Sequence, residues 1–287
     1  MDAETYAGVE LGGTKCIAIL ASAPDRILAR ETVPTTTPDE TLGGLGAILR
    51  GWKSQDFAAL GIASFGPLDL DAGTIAATPK PGWKGAEVKG RLKDAAGVAA
   101  AFDTDVNGAA LGEMRWGSGR GMQDFAYITV GTGVGVGLIV NGKPTRGFAH
   151  CELGHIRVPR LPGDTFAGSC PFHGDCVEGL AAGPSLKARA REGVIGFRED
   201  DPVWNSVAWA LAQLCHAIVC AAAPRAIAIG GGVIENQPHL LGRIESMLIE
   251  SLNGYVELPG TEYIRTPELG GDAGPLGAIA LAMTAGK

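Results

Sequence analysis

Near its N-terminus the chain reads Tyr6-Ala7-Gly8-Val9-Glu10-Leu11-Gly12-Gly13-Thr14-Lys15-Cys16-Ile17-Ala18-Ile19-Leu20, and this stretch decides the fold. Two apolar, β-branched runs flank the turn Gly12–Lys15, a pattern that predicts a strand, a glycine turn and a second strand. The same pattern returns over residues 125–140, where the turn is Gly131-Thr132-Gly133. Two such hairpins about half a chain apart indicate an internal duplication in which each hairpin begins one domain.

The rest of the chain alternates between strand-like and helix-like patterns, which predicts an α/β fold of two domains. A third strand, residues 226–229, leads through Gly230, Gly231 and Gly232 towards a helix. The other predicted elements are a strand at 60–64 and helices at 41–52, 106–116, 183–192, 203–223, 238–252 and after Pro275. Glycines near residue 117 interrupt the pattern, so the predicted domains are 1–117 and 118–287, and the last helix could pack back on the first.

Composition excludes several classes of protein. The 287 residues carry a net charge of −7 and lack a basic run, which argues against binding to nucleic acid or to a membrane surface. The longest apolar stretch, around residues 208–223, is too short to span a bilayer and is predicted to be a buried helix. The six cysteines do not form a disulfide framework, which favours the cytoplasm. Cys16, Cys215 and Cys220 lie in apolar stretches and are predicted to be buried thiols.

A short loop carries the strongest chemical signal in the sequence. It reads Cys170-Pro171-Phe172-His173-Gly174-Asp175-Cys176, with His155 upstream. Two-residue gaps in a loop rich in Gly and Pro allow Cys170, His173 and Cys176 to point at one zinc ion (Zn2+). His155 is the best candidate for a fourth ligand. Four protein ligands leave no position for a reactive water, so the predicted site is structural.

The glycine turns offer a second kind of site. Backbone N–H groups of Gly12 and Gly13, with the Thr14 hydroxyl and the Lys15 ammonium, can bind a phosphate group, and so can the turn Gly131-Thr132-Gly133. Two such turns facing each other would hold a triphosphate. The spacing is not that of a P-loop. Three glycine clusters at strand ends therefore predict a nucleotide-binding protein.

These motifs together resemble the ROK family of sugar kinases, and the resemblance covers essentially the whole chain. It is carried by residues 10–15, 64–67, 103–107, 129–135, 152–155 and 228–233. The loop from Cys170 to Cys176, followed by Glu178, is similar to the zinc-containing bacterial fructokinase branch. Two positions depart from the family pattern, because many members have Asp in place of Glu10 and Asn in place of Thr104. The resemblance implies the actin- and hexokinase-like ATPase fold, with two domains and a central cleft.

The resemblance also implies roles for individual residues. Asp105 is the predicted base that accepts the proton of the sugar hydroxyl, and Asp103 is its nearest rival. The predicted sugar-binding residues are Gly66, Pro67, Asn107, Glu152, His155 and Glu178. The predicted nucleotide-binding residues are Gly12, Gly13, Thr14, Lys15, Gly131, Thr132, Gly133, Gly230, Gly231 and Gly232, and Glu10 is a candidate to hold Mg2+ through water. His155 would use one ring nitrogen for zinc and the other for the sugar.

The predicted function is phosphorylation of a hexose by ATP with Mg2+, with D-fructose converted to fructose 6-phosphate. Two alternatives stay open at this point. One is a broader hexose kinase that acts on mannose or glucose. The other is a sugar-responsive regulator of the same family. Regulators carry an added N-terminal DNA-binding segment, whereas here the first glycine turn begins by Gly12, and Asp105 is present. The family commonly forms dimers, so a homodimer is expected.

Overall fold

The computed structural model describes residues 4–78, 80–190 and 197–285, which form two compact units. The described residues of Met1–Gly121, Pro144–His150 and Glu268–Lys287 form unit 1. Those of Met122–Lys143 and Cys151–Pro267 form unit 2. The first segment of unit 1 therefore ends four residues beyond the predicted boundary at residue 117. Unit 1 also includes two later segments of the chain.

The strands are β1 Tyr6–Leu11, β2 Lys15–Ala23, β3 Arg26–Pro34, β4 Ala59–Ser64, β5 Leu68–Asp69, β6 Thr74–Ile75, β7 Ala99–Thr104, β8 Phe125–Val130, β9 Val134–Val140, β10 Lys143–Pro144, β11 Ile227–Gly230 and β12 Ile264–Arg265. The helices are α1 Pro38–Gly51, α2 Val88–Ala96, α3 Asp105–Trp116, α4 Val177–Ala181, α5 Gly183–Arg189, α6 Val203–Ala222, α7 Gly232–Glu235, α8 Leu240–Leu252 and α9 Ala273–Ala282.

The two large sheets repeat one arrangement of strands. The first has the order β3-β2-β1-β4-β7, in which β1 and β2 form the antiparallel hairpin and β4 and β7 continue parallel to β1. The second has the order β10-β9-β8-β11-β12, in which β8 and β9 form the hairpin and β11 and β12 continue parallel to β8. The predicted α/β class and the predicted duplication are confirmed by this correspondence.

Most predicted helices are present, with boundaries that reflect local capping. Helix α1 begins at Pro38, three residues before the predicted start, because the Thr37 hydroxyl accepts a hydrogen bond from the Glu40 amide at 3.3 Å. Helix α5 begins at Gly183, as predicted. Its predicted end at Glu192 lies outside the described residues. Strands β3 and β7 and helix α2 were not predicted. Strand β3 is largely exposed and charged, so it lacks an apolar run.

Helix α9 completes the core of unit 1. It packs against α3 and against strands β1 and β4 of the first sheet. Glycines make the close approach to α3 possible, because a Cβ atom on Gly277 would lie 2.3 Å from the backbone carbon of Gly108. Side chains of α9 such as Leu276 and Ile279 are buried with Ile17 and Ile19 of β2. The last described helix is thus an integral part of the unit that contains the first strand.

A buried carboxylate fixes the end of α3 to the segment that precedes α9. The Glu113 side chain is fully buried, and its Oε2 accepts hydrogen bonds from the Ser118 amide at 2.8 Å and the Ser118 hydroxyl at 2.9 Å. The Glu268 amide donates to Oε2 at 3.1 Å and the Leu269 amide donates to Oε1 at 2.8 Å. Four donors therefore share one buried carboxylate, which joins parts of the chain about 155 residues apart.

Replacing Glu113 with alanine is expected to lower the free energy of unfolding by about 3 kcal/mol, because buried N–H and O–H groups lose their acceptor. Urea denaturation followed by circular dichroism measures the change. Glu113→Gln serves as the matched control, since it keeps one acceptor oxygen and should lose less than the alanine variant. An alanine variant as stable as the parent would show that water replaces the carboxylate without cost.

Unit 2 has its core between the second sheet and three helices. Helix α6 lies at the centre, in contact with α4 and α8, and its buried residues include Trp204, Leu211 and Ile218. Among the described residues, α6 is the one helix whose length and apolar composition would allow it to cross a membrane. Its packing confirms the predicted buried helix, which ends one residue before the predicted end at residue 223. Its 20 residues contradict the expectation that this apolar segment is too short to span a bilayer. Cys220 was predicted to be buried, but it lies on the outer face of the last turn and is exposed.

Candidate active site and metal centre

Three parallel strands of unit 1 end at the same level of the sheet. Leu11 of β1 is in register with Ser64 of β4, and Ser64 is in register with Thr104 of β7. The Phe65 amide donates to the Leu11 carbonyl at 2.9 Å, which continues the pairing beyond the strands. The first glycine turn, the loop at Gly66-Pro67 and Asp105 follow these three ends directly. The carboxyl edge of a parallel sheet is where ligands bind in open α/β folds.

The predicted base lies at the first position of a helix. Helix α3 begins at Asp105, one residue before the predicted start, because the Thr104 hydroxyl accepts a hydrogen bond from the Asn107 amide at 3.2 Å and caps the helix. Asp105 is half-buried, and its Oδ1 accepts a hydrogen bond from the Val106 amide at 2.9 Å. A carboxylate at a helix N-terminus is stabilised in its charged form. Asp105 therefore lies where a carboxylate is favoured and is the candidate to accept a proton.

The rival carboxylate, Asp103, is buried, and both of its oxygens accept hydrogen bonds from neighbouring residues. Its side chain is 2% exposed, and its Oδ1 accepts hydrogen bonds at 2.8 Å from both the Thr104 amide and the Asn107 side-chain nitrogen. The Arg146 guanidinium donates to Oδ2 at 3.2 Å. Asp103 therefore orients Asn107, one of the predicted sugar-binding residues. Sequence analysis did not identify Arg146, since it is separated from Asp103 by 43 residues.

The first glycine turn is open to solvent. Gly13, Thr14 and Lys15 are exposed, and the Gly12 amide donates to the Lys15 carbonyl at 3.1 Å. The Lys80 ammonium donates to the Gly13 carbonyl, which brings a second cation to the turn. Exposed N–H groups beside two cations suit a phosphate group.

Glu10, which precedes the turn, is half-buried. Burial raises the pKa of its carboxyl above the usual range, while the nearby Lys15 and Arg30 act in the opposite direction. A carboxylate in partly dry surroundings is one that a cation would stabilise.

The second glycine turn packs directly on Glu178. The Gly131 amide donates to the Gly133 carbonyl at 2.9 Å, and the Val134 amide donates to Oε2 of Glu178 at 3.2 Å. A Cβ atom on Gly133 would lie 2.6 Å from that oxygen, so a larger residue there would require the Glu178 side chain to shift. The Gly183 amide also donates to the Gly131 carbonyl at 2.8 Å. The predicted nucleotide turn and a predicted sugar-binding residue are thus in contact.

The third glycine cluster lies beside the second turn. Gly230 is the last residue of β11, in register with Thr129 of β8, while Gly232 begins α7. Gly231, between them, has φ of 88°. Gly131 and Gly231 therefore follow neighbouring strand ends of unit 2, as Gly12 and Phe65 do in unit 1.

The four predicted zinc ligands converge in unit 2. Nδ1 of His155 lies 3.8 Å from Sγ of Cys170 and 3.6 Å from Sγ of Cys176, and Nδ1 of His173 lies 3.8 Å from Sγ of Cys170. One ligand atom from each of these four residues lies within 4.8 Å of all the others. Ligand atoms around a tetrahedral zinc ion are roughly 3.3–3.8 Å apart, given Zn–S and Zn–N bonds of about 2.3 and 2.0 Å. The arrangement fits zinc.

Protonation chemistry also favours a cation at this cluster. Burial raises the pKa of the Cys176 thiol to about 11, and the adjacent Cys170 adds to the rise. A buried thiol such as Cys176 is a poor thiolate unless a metal compensates its charge. The loop itself closes through reciprocal hydrogen bonds between the backbones of Cys170 and Gly174, at 3.2 and 2.9 Å.

His155 connects the metal cluster to Glu178. With Nδ1 turned to the cysteines, its Nε2 lies 3.9 Å from Oε2 of Glu178. His155 lies in a short 3-10 helix, Leu153–His155. Glu152, just before this helix, is exposed. The structure therefore brings His155 and Glu178 together with the second glycine turn, and it leaves Glu152 at the surface of unit 2.

An ion-pair network supports the metal loop from outside. Arg189 forms two hydrogen bonds with the Asp164 carboxylate, at 3.1 and 2.7 Å, and Arg160 lies 3.6 Å from Asp164 and 3.4 Å from Asp175 of the loop. The Arg189 hydrogen bonds lower the pKa of Asp164 to about 2. Sequence analysis missed this network because its members are spread over thirty residues without a local pattern. It holds the segment before Cys170 in place.

Two sheets with the same arrangement of strands, each with a glycine turn in its hairpin, define the class of actin- and hexokinase-like ATPases. The chain belongs to the ROK family, whose family model matches residues 6–285. It is 40% identical to a fructokinase of Lactococcus lactis subsp. cremoris over 272 residues, 91% of each chain.

Two solved structures share the fold over nearly the whole chain. A ROK hexokinase from Thermus thermophilus superposes with a TM-score of 0.83 at 28% identity over 98% of both chains. A ROK family glucokinase from Streptomyces griseus, solved in complex with glucose and AMPPNP, gives a TM-score of 0.74 at 28% identity, covering 98% of this chain and all of the other.

Proposed function

We propose that the protein is a fructokinase, which transfers the γ-phosphoryl group of ATP to D-fructose and forms fructose 6-phosphate. The observation that carries the kinase assignment is the register of Leu11, Ser64 and Thr104, which brings the turn Gly12–Lys15 and the Asp105 carboxylate to one edge of one sheet. The choice of fructose is supported by the relative of 40% identity, which is a fructokinase. The bound nucleotide analogue of the Streptomyces griseus enzyme supports ATP as the phosphate donor.

Transfer of a phosphoryl group needs alignment, shielding of phosphate charge and an acceptor for the hydroxyl proton. Asp105 is the acceptor, since it is half-buried at the start of α3. The turn Gly12–Lys15, with Lys15 as a cation, and the turn Gly131–Gly133 each offer backbone N–H groups to phosphate. Gly230, Gly231 and Gly232 allow the rest of the nucleotide to approach the backbone. Glu10 would hold Mg2+ through water, and the bound ion would share the charge of the phosphates.

Hexose hydroxyls are bound by groups that the structure already orients. Asn107 is held by Asp103, and the backbone of Gly66 and Pro67 follows β4. The other sugar-binding residues are Glu152, His155 and Glu178. His155 serves zinc through Nδ1, which leaves Nε2 beside Glu178 for a hydroxyl. His155, Cys170, His173 and Cys176 would hold zinc as a structural ion, which would fix this orientation. The homodimer and the cytoplasmic location stay predictions from the sequence.

A panel of hexoses tests the assignment. With ATP and Mg2+ present, kcat/KM is expected to be highest for fructose, as measured by coupled release of ADP. Mannose and glucose are the comparison substrates, and each is assayed with the product confirmed by mass spectrometry. A higher kcat/KM for glucose or mannose would replace fructokinase with a broader hexose kinase. Absence of turnover with every hexose would overturn the kinase function itself.

A further inference from the structure

Residues 144–150 form a short loop of unit 1 that the proposed function leaves without a role. The loop closes on itself, since Arg146 and His150 form an antiparallel bridge and the Gly147 amide donates to the Ala149 carbonyl at 3.0 Å. Its two ends carry the polar side chains that reach the rest of the unit. Along the chain the loop is followed by Cys151 and Glu152.

His150 contacts the loop that follows β4. Its side chain is 8% exposed, and its Nε2 accepts a hydrogen bond from the Leu68 amide at 2.9 Å. The ring also covers Gly66, because a Cβ atom on that glycine would lie 3.5 Å from Cε1 of His150. Gly66 and Pro67 are the backbone groups assigned to the hexose. One imidazole therefore fixes both sides of that dipeptide.

Arg146 contacts the end of β7. Its guanidinium donates to Oδ2 of Asp103 at 3.2 Å, while Oδ1 of the same carboxylate receives the Asn107 side-chain nitrogen at 2.8 Å. The arginine side chain is 49% exposed and the aspartate 2%, so the pair lies at the rim of a buried network. Arg146 thereby supports the orientation of Asn107, which is the third hexose group of unit 1.

We propose that Arg146 and His150 are positioning residues for the hexose. They hold the backbone of Gly66-Pro67 and the amide of Asn107 in place from one loop. Both contacts lead to groups assigned to the sugar rather than to the glycine turn assigned to ATP. The role rests on the proposed function, since it presumes that these groups bind a hexose. It adds to that function two residues that touch neither substrate.

The test compares His150→Leu with His150→Gln. Leucine cannot accept the Leu68 hydrogen bond, whereas a glutamine Oε1 can take the place of Nε2. We expect His150→Leu to raise KM for fructose about 10-fold or more, with KM for ATP and kcat within about 2-fold of the parent, because a small displacement of a binding group weakens alignment. His150→Gln is expected to stay within about 3-fold of the parent in all three parameters.

Hydrogen–deuterium exchange gives a readout that does not depend on turnover. The Leu68 amide should exchange faster in His150→Leu than in the parent, and at the parent rate in His150→Gln. Arg146→Met should also raise KM for fructose selectively. Lys143→Met is the matched control, because it removes an exposed positive charge three residues away.

The outcomes separate the two claims. An active parent whose His150→Leu variant keeps the parent KM for fructose would overturn the positioning role and leave the kinase function intact. Parallel increases of KM for fructose and ATP would also overturn it, since they indicate a general loss of structure. A parent without turnover on any hexose would overturn the proposed function and the positioning role together.

Discussion

Asp105→Asn is expected to lower kcat by about 10²–10⁴-fold, the range for loss of a positioned general base. Asparagine has nearly the same shape and can still bond to a hydroxyl, but it cannot accept the proton. The helix cap belongs to Thr104, so the fold and the zinc content should be retained. Sugar affinity should also change little. Steady-state kinetics with fructose and ATP, together with a melting curve, measure these effects.

Asp103→Asn is the matched control for this prediction. Its carboxylate accepts three hydrogen bonds, from Thr104, Asn107 and Arg146, so an amide in its place would lose part of that network. The expected effects are a lower melting temperature and a higher KM for fructose, with a much smaller loss of kcat than in Asp105→Asn. If Asp105→Asn turned over like the parent while Asp103→Asn were inactive, the base would be Asp103. If neither change affected kcat, the kinase mechanism would be wrong.

Loss of zinc is expected to lower the melting temperature by about 10 °C, because metal binding to such a site contributes several kcal/mol to folding. Cys176→Ser removes one ligand from a fully buried position. The variant should contain less zinc than the parent by elemental analysis. Its affinity for fructose should fall about tenfold, since His155 and Glu178 lose the support that orients them. Calorimetry measures both the melting transition and the binding of fructose.

Cys220→Ser controls for the removal of a thiol. Cys220 is exposed on α6, so its replacement should leave zinc content, melting temperature and fructose affinity at parent values. The parent itself should contain one zinc ion per chain when purified without chelators. Absence of zinc from that preparation would contradict the metal assignment, and the cluster would then be a set of buried thiols and imidazoles.

Local sequence patterns predicted the parts of the molecule that local physics determines. Alternating apolar residues and glycine turns predicted both hairpins, because strand and turn propensities act over a few residues. The spacing of Cys170, His173 and Cys176 predicted convergence for the same reason, since a seven-residue loop limits where its side chains can point. The structure also brings His155 into this cluster, as the sequence predicted.

Local sequence patterns did not predict contacts between segments that are far apart in the chain. The pairing of Glu113 with Leu269 spans 156 residues, and that of Leu68 with His150 spans 82. Nothing local distinguishes Glu113 or Asp103 from a solvated acidic residue, because their burial depends on elements that pack around them later in the chain. The same limit explains why Arg146 and His150 were missed. Their role appears only when residues 144–150 are found beside β4 and β7.

The position of α9 in unit 1 has a consequence for synthesis of the protein on the ribosome. Unit 2 has all of its segments once residue 267 has left the exit tunnel, whereas the core of unit 1 lacks α9 until residues 273–282 have left it as well. The N-terminal sheet is therefore made first but completed last. During that interval the faces of β1 and β4 that α9 covers are exposed to water. Chains that end at residue 272 and have been released from the ribosome should thus be more sensitive to protease in unit 1 than in unit 2.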